Sequence, residues 1–330
     1  MLKVIQGGIQ SVVESWPGRL GYLGAGMAPA GAMDNVALEL GNLLVGNDNG
    51  EAGIEIAAGM FSGKFDEDAV IAVTGADMSP TVNGEKIPMW ESIKVKAGDK
   101  LKFGSYGEKG FRAYITVAGG VDVPLYLGSK STCLFGSYGG FEGRALKSGD
   151  EIKFGKPSDS LDNLAGRKVK AEAIPEYSET IELRLIPGMN AYPDYVTEEG
   201  MEYLYNEKHK FSVNSNRSAC RLEPIPDSVN FFARKDGGSG GAHPSNIIDH
   251  AYNMRGAINV TGNTPSLLIA DGPTLGGFMC CGNVINADLW KIGQAAPDRD
   301  YAKFVYCTME EAIEARKAQK KWLSMDSITV

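Results

Sequence analysis

The stretch AVIAVTG at residues 69–75 decides the fold class. It sets Val70, Ile71 and Val73 in a seven-residue run and then breaks on Gly75. A short β-branched run closed by a turn residue reads as a strand. The same pattern recurs at 91–96 (ESIKVK), 112–118 (RAYITVA), 182–186 (ELRLI), 257–261 (AINVT) and 266–270 (SLLIA). Many short strands separated by turns point to sandwiches or barrels, whereas a βαβ fold would alternate strands with long helical periods. Asn83-Gly84 supplies a hairpin turn.

Helices are expected in only three places. Residues 34–45 place Val36, Leu40, Leu43 and Leu44 on one face, with Asp34 positioned as the cap. Residues 197–207 open with Thr197 and two acids. Residues 308–323 run from Glu310 and Glu311 to a basic end, an order that complements the helix dipole. The polar segment 156–180 lacks a hydrophobic period and reads as a linker. The expected organisation is therefore a β-rich domain over 1–155, a linker over 156–180, a second β-rich domain over 181–305 and a helical tail over 306–330.

Composition narrows the function classes. The chain has 330 residues and a formal net charge of −8, which argues against a nucleic-acid or anionic-membrane partner. The expectation is a cytoplasmic protein, with no apolar run long enough to span a bilayer and no secretory leader. The five cysteines are odd in number and lack metal-ligand spacing, so buried reduced thiols are expected.

Polar side chains concentrate at 214–217 (NSNR) and 236–252 (DGGSGGAHPSNIIDHAY). Gly237, Gly238, Gly240 and Gly241 could turn several amides toward one anion, or could form a plain surface loop. His243, Asn246 and Asp249 follow them. A metal site on His243, Asp249 and Asp271 fits no known ligand spacing, so no metal is expected. In the first half, Arg19 and Asp34 are the charged members of a Pro- and Gly-dense loop at 17–34, and Asn42 lies on the following helix. Taken alone, Asp34 reads as a cap and Asn42 as a helix-to-loop bonder. Asp271 opens DGPTLGGF at 271–278, as a turn former or a ligand.

Together these motifs resemble a known family. PGRLGY (17–22), GAMD (31–34), NLLVGN (42–47), AVTGA (72–76), VAGGVDVP (117–124) and LGSKS (127–131) are similar, in order, to the carboxyltransferase A-B domain, also called allophanate hydrolase subunit 2. NSNR, HPSNI (243–247), DGPTLGGF and LWKIGQ (289–294) resemble its urea carboxylase branch. The family also includes the C component of 5-oxoprolinase and KipA, the partner of a sporulation kinase inhibitor.

The resemblance implies a mainly β protein with few helices, built as two cyclophilin-like barrel domains. It implies a subunit that transfers a carboxyl group from carboxybiotin on a partner carrier to a small amide or urea-like acceptor. The implied partners are a C-D domain subunit (the KipI or allophanate hydrolase subunit 1 type), a biotin carboxylase and a biotin carrier protein, with ATP used only in partner subunits. Asp249 and His243 are then the candidate catalytic residues, and Asp34, Asn42, Asn214, Arg217, Asn246 and Asp271 the candidate substrate contacts. The alternatives are an ATP-dependent lactam-opening 5-oxoprolinase component and a non-catalytic regulatory partner. Asn263 stands where the family commonly has Asp, which widens the acceptor class to other amides, lactams or guanidino compounds.

Overall fold

Every residue of the strand Ala69–Gly75 is buried. The strand is an inner one of a five-stranded antiparallel sheet, between the edge strand Ser92–Val95 and the middle strand Arg112–Val117, with Gly53–Ala57 and Gln10–Glu14 beyond. One face, through Ile71 and Val73, joins a core shared with Leu2, Ile56, Phe61, Phe103 and Ile115. The other face lies under the helix Asn35–Leu44, where Thr74 Oγ1 donates to Ala37 O at 2.7 Å. A strand covered on both sides reads as a continuous apolar run, which is why AVIAVTG does not alternate.

The computed structural model describes residues 1–238, 241–247, 254–272, 274 and 276–330. They form two compact units, one of residues 1–21, 29–177 and 318–330 and the other of residues 22–28 and 178–317.

In the first unit a six-stranded sheet packs on the same core. Its order is Glu151–Ile152, Leu2–Gly7, Phe61–Phe65, Lys100–Lys102, Thr81–Val82, Glu85–Lys86. The last two strands form the hairpin expected at Asn83-Gly84, whose φ values of 54° and 88° suit a type I′ turn. Gly41 explains how closely the helix sits on the other sheet. A Cβ there would lie 2.9 Å from Thr116 Cγ2 and 3.1 Å from Thr74 Oγ1. Glycine inside a helix costs about 1 kcal/mol relative to alanine. That is less than the loss from lifting the helix off Val and Ile side chains, each worth about 1.5–3 kcal/mol when buried.

The second unit carries a seven-stranded sheet. Its order is His209–Lys210, Tyr301–Tyr306, Thr180–Pro187, Met279–Val284, Ala257–Thr261, Thr264–Leu268, Ala219–Arg221. Among the described residues only Thr180–Pro187 and Tyr301–Tyr306 pair in parallel. The chain is thus mainly β with few helices. The strand orders are open, however, and no ladder closes into a cylinder among the described residues. The barrels implied by the resemblance are realised in the first unit as two open sheets on one core.

The three expected helices form as Asn35–Leu44, Glu198–Asn206 and Met309–Trp322. Each start has a side-chain cap. Asp34 accepts from Ala37 N at 3.0 Å, Thr197 accepts from Gly200 N at 2.9 Å, and Thr308 and Glu311 form a reciprocal capping box.

Residues 156–180 and 306–330 differ from a bare linker and an appended tail. Ser160 caps a helical turn at Leu161–Leu164, and Lys168–Val169 pairs with Ile328–Thr329. Trp322 Nε1 donates to Ala173 O at 2.8 Å. These segments look polar because most of their side chains face solvent, while Leu164, Val169 and Ile328 are buried.

Candidate functional site

Three motifs of the second half meet in the second unit. Asn246 bridges Phe278 in antiparallel fashion, Ile247 N donates to Gly277 O at 2.8 Å, and Met279 N donates to Ser245 O at 2.8 Å. HPSNI is therefore laid against the end of DGPTLGGF like a short extra strand. The start of DGPTLGGF is held by NSNR. Arg217 donates from Nε to Asp271 Oδ2 at 3.3 Å and from Nη2 to Asp271 Oδ1 at 3.2 Å, and Asp271 N donates to Arg217 O at 2.8 Å. Both side chains are buried, Arg217 at 3% exposure and Asp271 at 1%. A forked guanidinium–carboxylate pair keeps both charges satisfied out of water and fixes the two loops relative to each other.

His243 is exposed, and its ring meets Phe232 edge-on at 5.1 Å. Its Nδ1 accepts from Ser245 N at 3.2 Å and lies 2.9 Å from Ser245 Oγ. A backbone N–H can only donate, so Nδ1 carries no proton. That bond suits the tautomer with its proton on Nε2, and Nε2 makes no hydrogen bond among the described residues. Ser245 Oγ is itself fixed by Gly262 N at 3.1 Å. Sequence reasoning passed over Ser245, although its place in the motif, between His243 and Asn246, was the available signal. Asp249 lies outside the described residues.

The Gly-rich loop is less open to an anion than its glycines suggest. Gly237 N donates to Ala242 O at 2.7 Å and Gly238 N to Asp236 Oδ1 at 2.8 Å, so both amides are spent on the loop itself. Asn214 is exposed and helps line a separate pocket of about 300 Å³ on the same unit, with Ser212, Arg221, Glu223, Thr264 and Ser266.

The two first-half candidates, Asp34 and Asn42, are fully buried. Asp34 Oδ1 caps its helix and Oδ2 accepts from Tyr177 Oη at 3.1 Å. Burial, then the Asp34 charge, pushes the Tyr177 hydroxyl well above its ordinary range, so it stays a donor. Asn42 spends both amide hydrogens on Asn49 O (3.0 Å) and Glu51 O (2.8 Å), and its oxygen accepts from Asn47 Nδ2 at 3.0 Å. Expected as substrate contacts, these two groups serve the fold, because their bonding capacity is taken up inside the protein.

All five cysteines are buried, and none is in a disulfide. Burial pushes the Cys280 thiol up to about 11 and the Cys281 thiol higher still, which disfavours the nucleophilic thiolate. Among the described residues no group of three His, Cys, Asp or Glu side chains is placed to hold a metal ion, and no helix is long and apolar enough to cross a membrane.

Comparison with known proteins places the chain in a family. The family described as "Carboxyltransferase domain, subdomain A and B" matches residues 25–305. The urea amidolyase of Saccharomyces cerevisiae is 39% identical over 317 residues, covering 94% of this chain and 17% of its own length. The C component of 5-oxoprolinase from Escherichia coli is 31% identical over 330 residues, covering 98% of this chain and 96% of its own length. The crystal structure of the K. lactis urea amidolyase matches with a TM-score of 0.90 at 36% identity, over 99% of this chain and 20% of that one. The chain thus spans about a fifth or less of the amidolyases it matches and nearly the whole of the oxoprolinase component. With the match covering most of its length and both units, this chain belongs to the carboxyltransferase domain family of subdomains A and B and is homologous to that region of urea amidolyase.

Proposed function

We propose that this chain is the A-B half of a biotin-dependent carboxyltransferase that moves a carboxyl group onto a nitrogen of a small amide or urea-like acceptor. The observation that carries the reading is the joining of NSNR, HPSNI and DGPTLGGF through the buried Arg217–Asp271 pair. It turns three separated motifs into one framework that presents His243 and Asn246 at a surface.

The chemistry requires three things of that surface. The acceptor must be held, its oxygen must be stabilised as its nitrogen becomes nucleophilic, and a proton must leave that nitrogen. Asn246 offers an amide for orientation. His243, with its proton on Nε2, suits hydrogen-bond donation to the acceptor oxygen better than proton removal. The base is then Asp249, which would take the N–H proton as the nitrogen bonds to the carboxyl carbon, while the bond from that carbon to the donor's ureido nitrogen breaks and that nitrogen regains a proton. Arg217 and Asp271 are positioning residues. An exposed neutral donor such as His243 Nε2 also fits a carboxylated ureido ring presented from outside. Biotin, carried by a partner protein, supplies the carboxyl group as carboxybiotin. The partners in this reading are a biotin carboxylase that uses ATP, a biotin carrier protein and a C-D domain subunit.

A second reading is favoured by one observation, the match to 96% of the length of the E. coli 5-oxoprolinase component. One experiment separates the two. The chain is combined with a C-D domain partner, biotin carboxylase and biotinylated carrier, and ADP release is followed with urea, other small amides or 5-oxoproline. Acceptor-dependent turnover that needs biotin, and that falls about 100-fold or more in Asp249→Ala, supports carboxyl transfer. Biotin-independent turnover of 5-oxoproline supports the second reading. Near-normal turnover by Asp249→Ala, with the fold intact, removes Asp249 from its role.

A further inference from the structure

The pocket lined by Asn214 has no part in this reaction scheme, and its lining is arranged in a particular way. In the antiparallel ladder Arg221 pairs with Ser266, Ser266 pairs with Asn259, and Thr261 pairs with Thr264. Paired residues share a sheet face, so all five side chains lie on one side. At the other end of that face Ala219, Leu268 and Ala257 pack with Cys280 into a small apolar cluster. The face thus changes from apolar to polar within two residues along each strand, and the pocket begins where the apolar part stops.

The polar end is left unsatisfied by the protein. Ser266 is 6% exposed, yet its hydroxyl makes no hydrogen bond among the described residues. The hydroxyl lines the pocket and is open to it, so its bond is available to whatever occupies that space. Arg221 and Glu223 are exposed, and neither forms an ion pair among the described residues. Lys210 lies near enough for Glu223 to raise its pKa, but its ammonium is bonded to Asp298 at 2.6 Å. Two positions apart on an extended chain, Arg221 and Glu223 stand roughly 7 Å apart at their Cα atoms.

Charge decides what fits. A simple anion would meet Glu223, and a simple cation would meet Arg221. A neutral amide would leave both charges unpaired. We propose that this pocket is a binding site for a small zwitterion of the α-amino acid class, with its carboxylate in the Arg221 fork and its ammonium on Glu223. Ser266 and Asn214 complete the hydrogen bonding from the floor and the rim. At about 300 Å³ the space also admits a side chain.

Titration calorimetry on this chain alone tests the site, independently of any carboxyl transfer. The probes are the L-α-amino acids one by one, with acetate, methylammonium and urea as single-charge and neutral arms. At least one amino acid should bind saturably at one site per chain, and the three other probes should bind at least about tenfold more weakly, since each forfeits a charge-assisted bond. Arg221→Gln and Glu223→Gln should each weaken the amino acid by about tenfold or more, and Arg221→Lys by less, because it keeps the charge and loses the fork. Both positions are exposed, so circular dichroism and unfolding temperature should stay at the parent values. Absence of binding by every amino acid, which would leave solvent as the occupant, overturns the proposal. So does binding that both Gln variants leave unchanged.

Discussion

Ser131 in the first unit and Ser266 in the second are both buried, at 0% and 6% exposure, and the protein treats them in opposite ways. Ser131 Oγ accepts from Ser15 N at 3.0 Å, donates to Ser15 O at 3.1 Å and lies 2.9 Å from Ser15 Oγ. Ser266 Oγ has no protein partner among the described residues and faces a pocket. The contrast extends to the surrounding motifs. In the first unit Asp34, Asn42 and Asn47 bond to their own loops, strands and helix. In the second unit the motif residues His243 and Asn214, and Ser266 on the strand Thr264–Leu268, keep donors or acceptors that no described group uses.

The largest effect is expected where a buried charged network is cut. Tyr114 Oη donates to Glu55 Oε2 at 2.7 Å, and the same oxygen accepts from Met33 N at 2.8 Å. Arg112 Nε lies 3.4 Å from Glu55 Oε1, with both side chains almost wholly buried. Glu55→Gln takes away the negative charge facing the Arg112 cation, and removing one partner of a buried pair costs about 3–5 kcal/mol. Urea unfolding should show that loss, while amino-acid binding to the second unit stays unchanged. A loss below about 1 kcal/mol would show that the pair behaves as a solvated surface pair and not a buried one.

The next effect is set by pH and lies in the second unit. Burial alone would raise the pKa of Asp288, but Arg184 (2.9 and 2.8 Å) and Lys291 (3.0 Å) overcome it and hold the carboxyl below its ordinary range. A depressed carboxylate contributes stability above its unfolded pKa of about 3.9, and that contribution fades as pH falls through the lower folded value. The unfolding midpoint should be level near pH 6 and drop below about pH 4. Asp288→Asn should lower the midpoint at pH 6 by the equivalent of about 1.5–3 kcal/mol and flatten the acid limb. An acid limb unchanged by the substitution would assign the acid sensitivity to other carboxylates, such as Asp150 beside Arg144.

Much of the fold was legible because it is written locally. AVIAVTG carries its own burial, Asn83-Gly84 its own turn, and all three main helices begin at the residue types that cap them. What escaped is written across distance. Val169 pairs with Ile328 in strands of two residues each, too short to show any period. The site divides along the same line. Arg217, Asp271, His243 and Asn246 stood out as polar residues in compact motifs, and the structure links their loops. Arg221 and Ser266 come from two separate segments, and only the strand register sets them side by side. At 236–241 the glycines alone left an anion cradle and a plain loop both open, and the structure shows Ala242 O and Asp236 Oδ1 taking the amides of Gly237 and Gly238.

The smallest effect is the sharpest test of the comparison. Ser131→Ala removes the acceptor of the buried Ser15 N–H, at a cost of about 1–3 kcal/mol. Ser266→Ala removes a hydroxyl that bonds to nothing in the protein among the described residues, so the same substitution should change stability by no more than about 0.5 kcal/mol, or raise it slightly. Its effect belongs to binding, where an amino acid that saturates the pocket should lose about threefold to tenfold in affinity, the worth of one neutral hydrogen bond. Unfolding and titration of the two variants side by side decide the matter. Equal destabilisation by both would mean that Ser266 is part of a closed network after all. A stable Ser266→Ala with undiminished binding would leave its hydroxyl with water alone and would confine the zwitterion to Arg221 and Glu223.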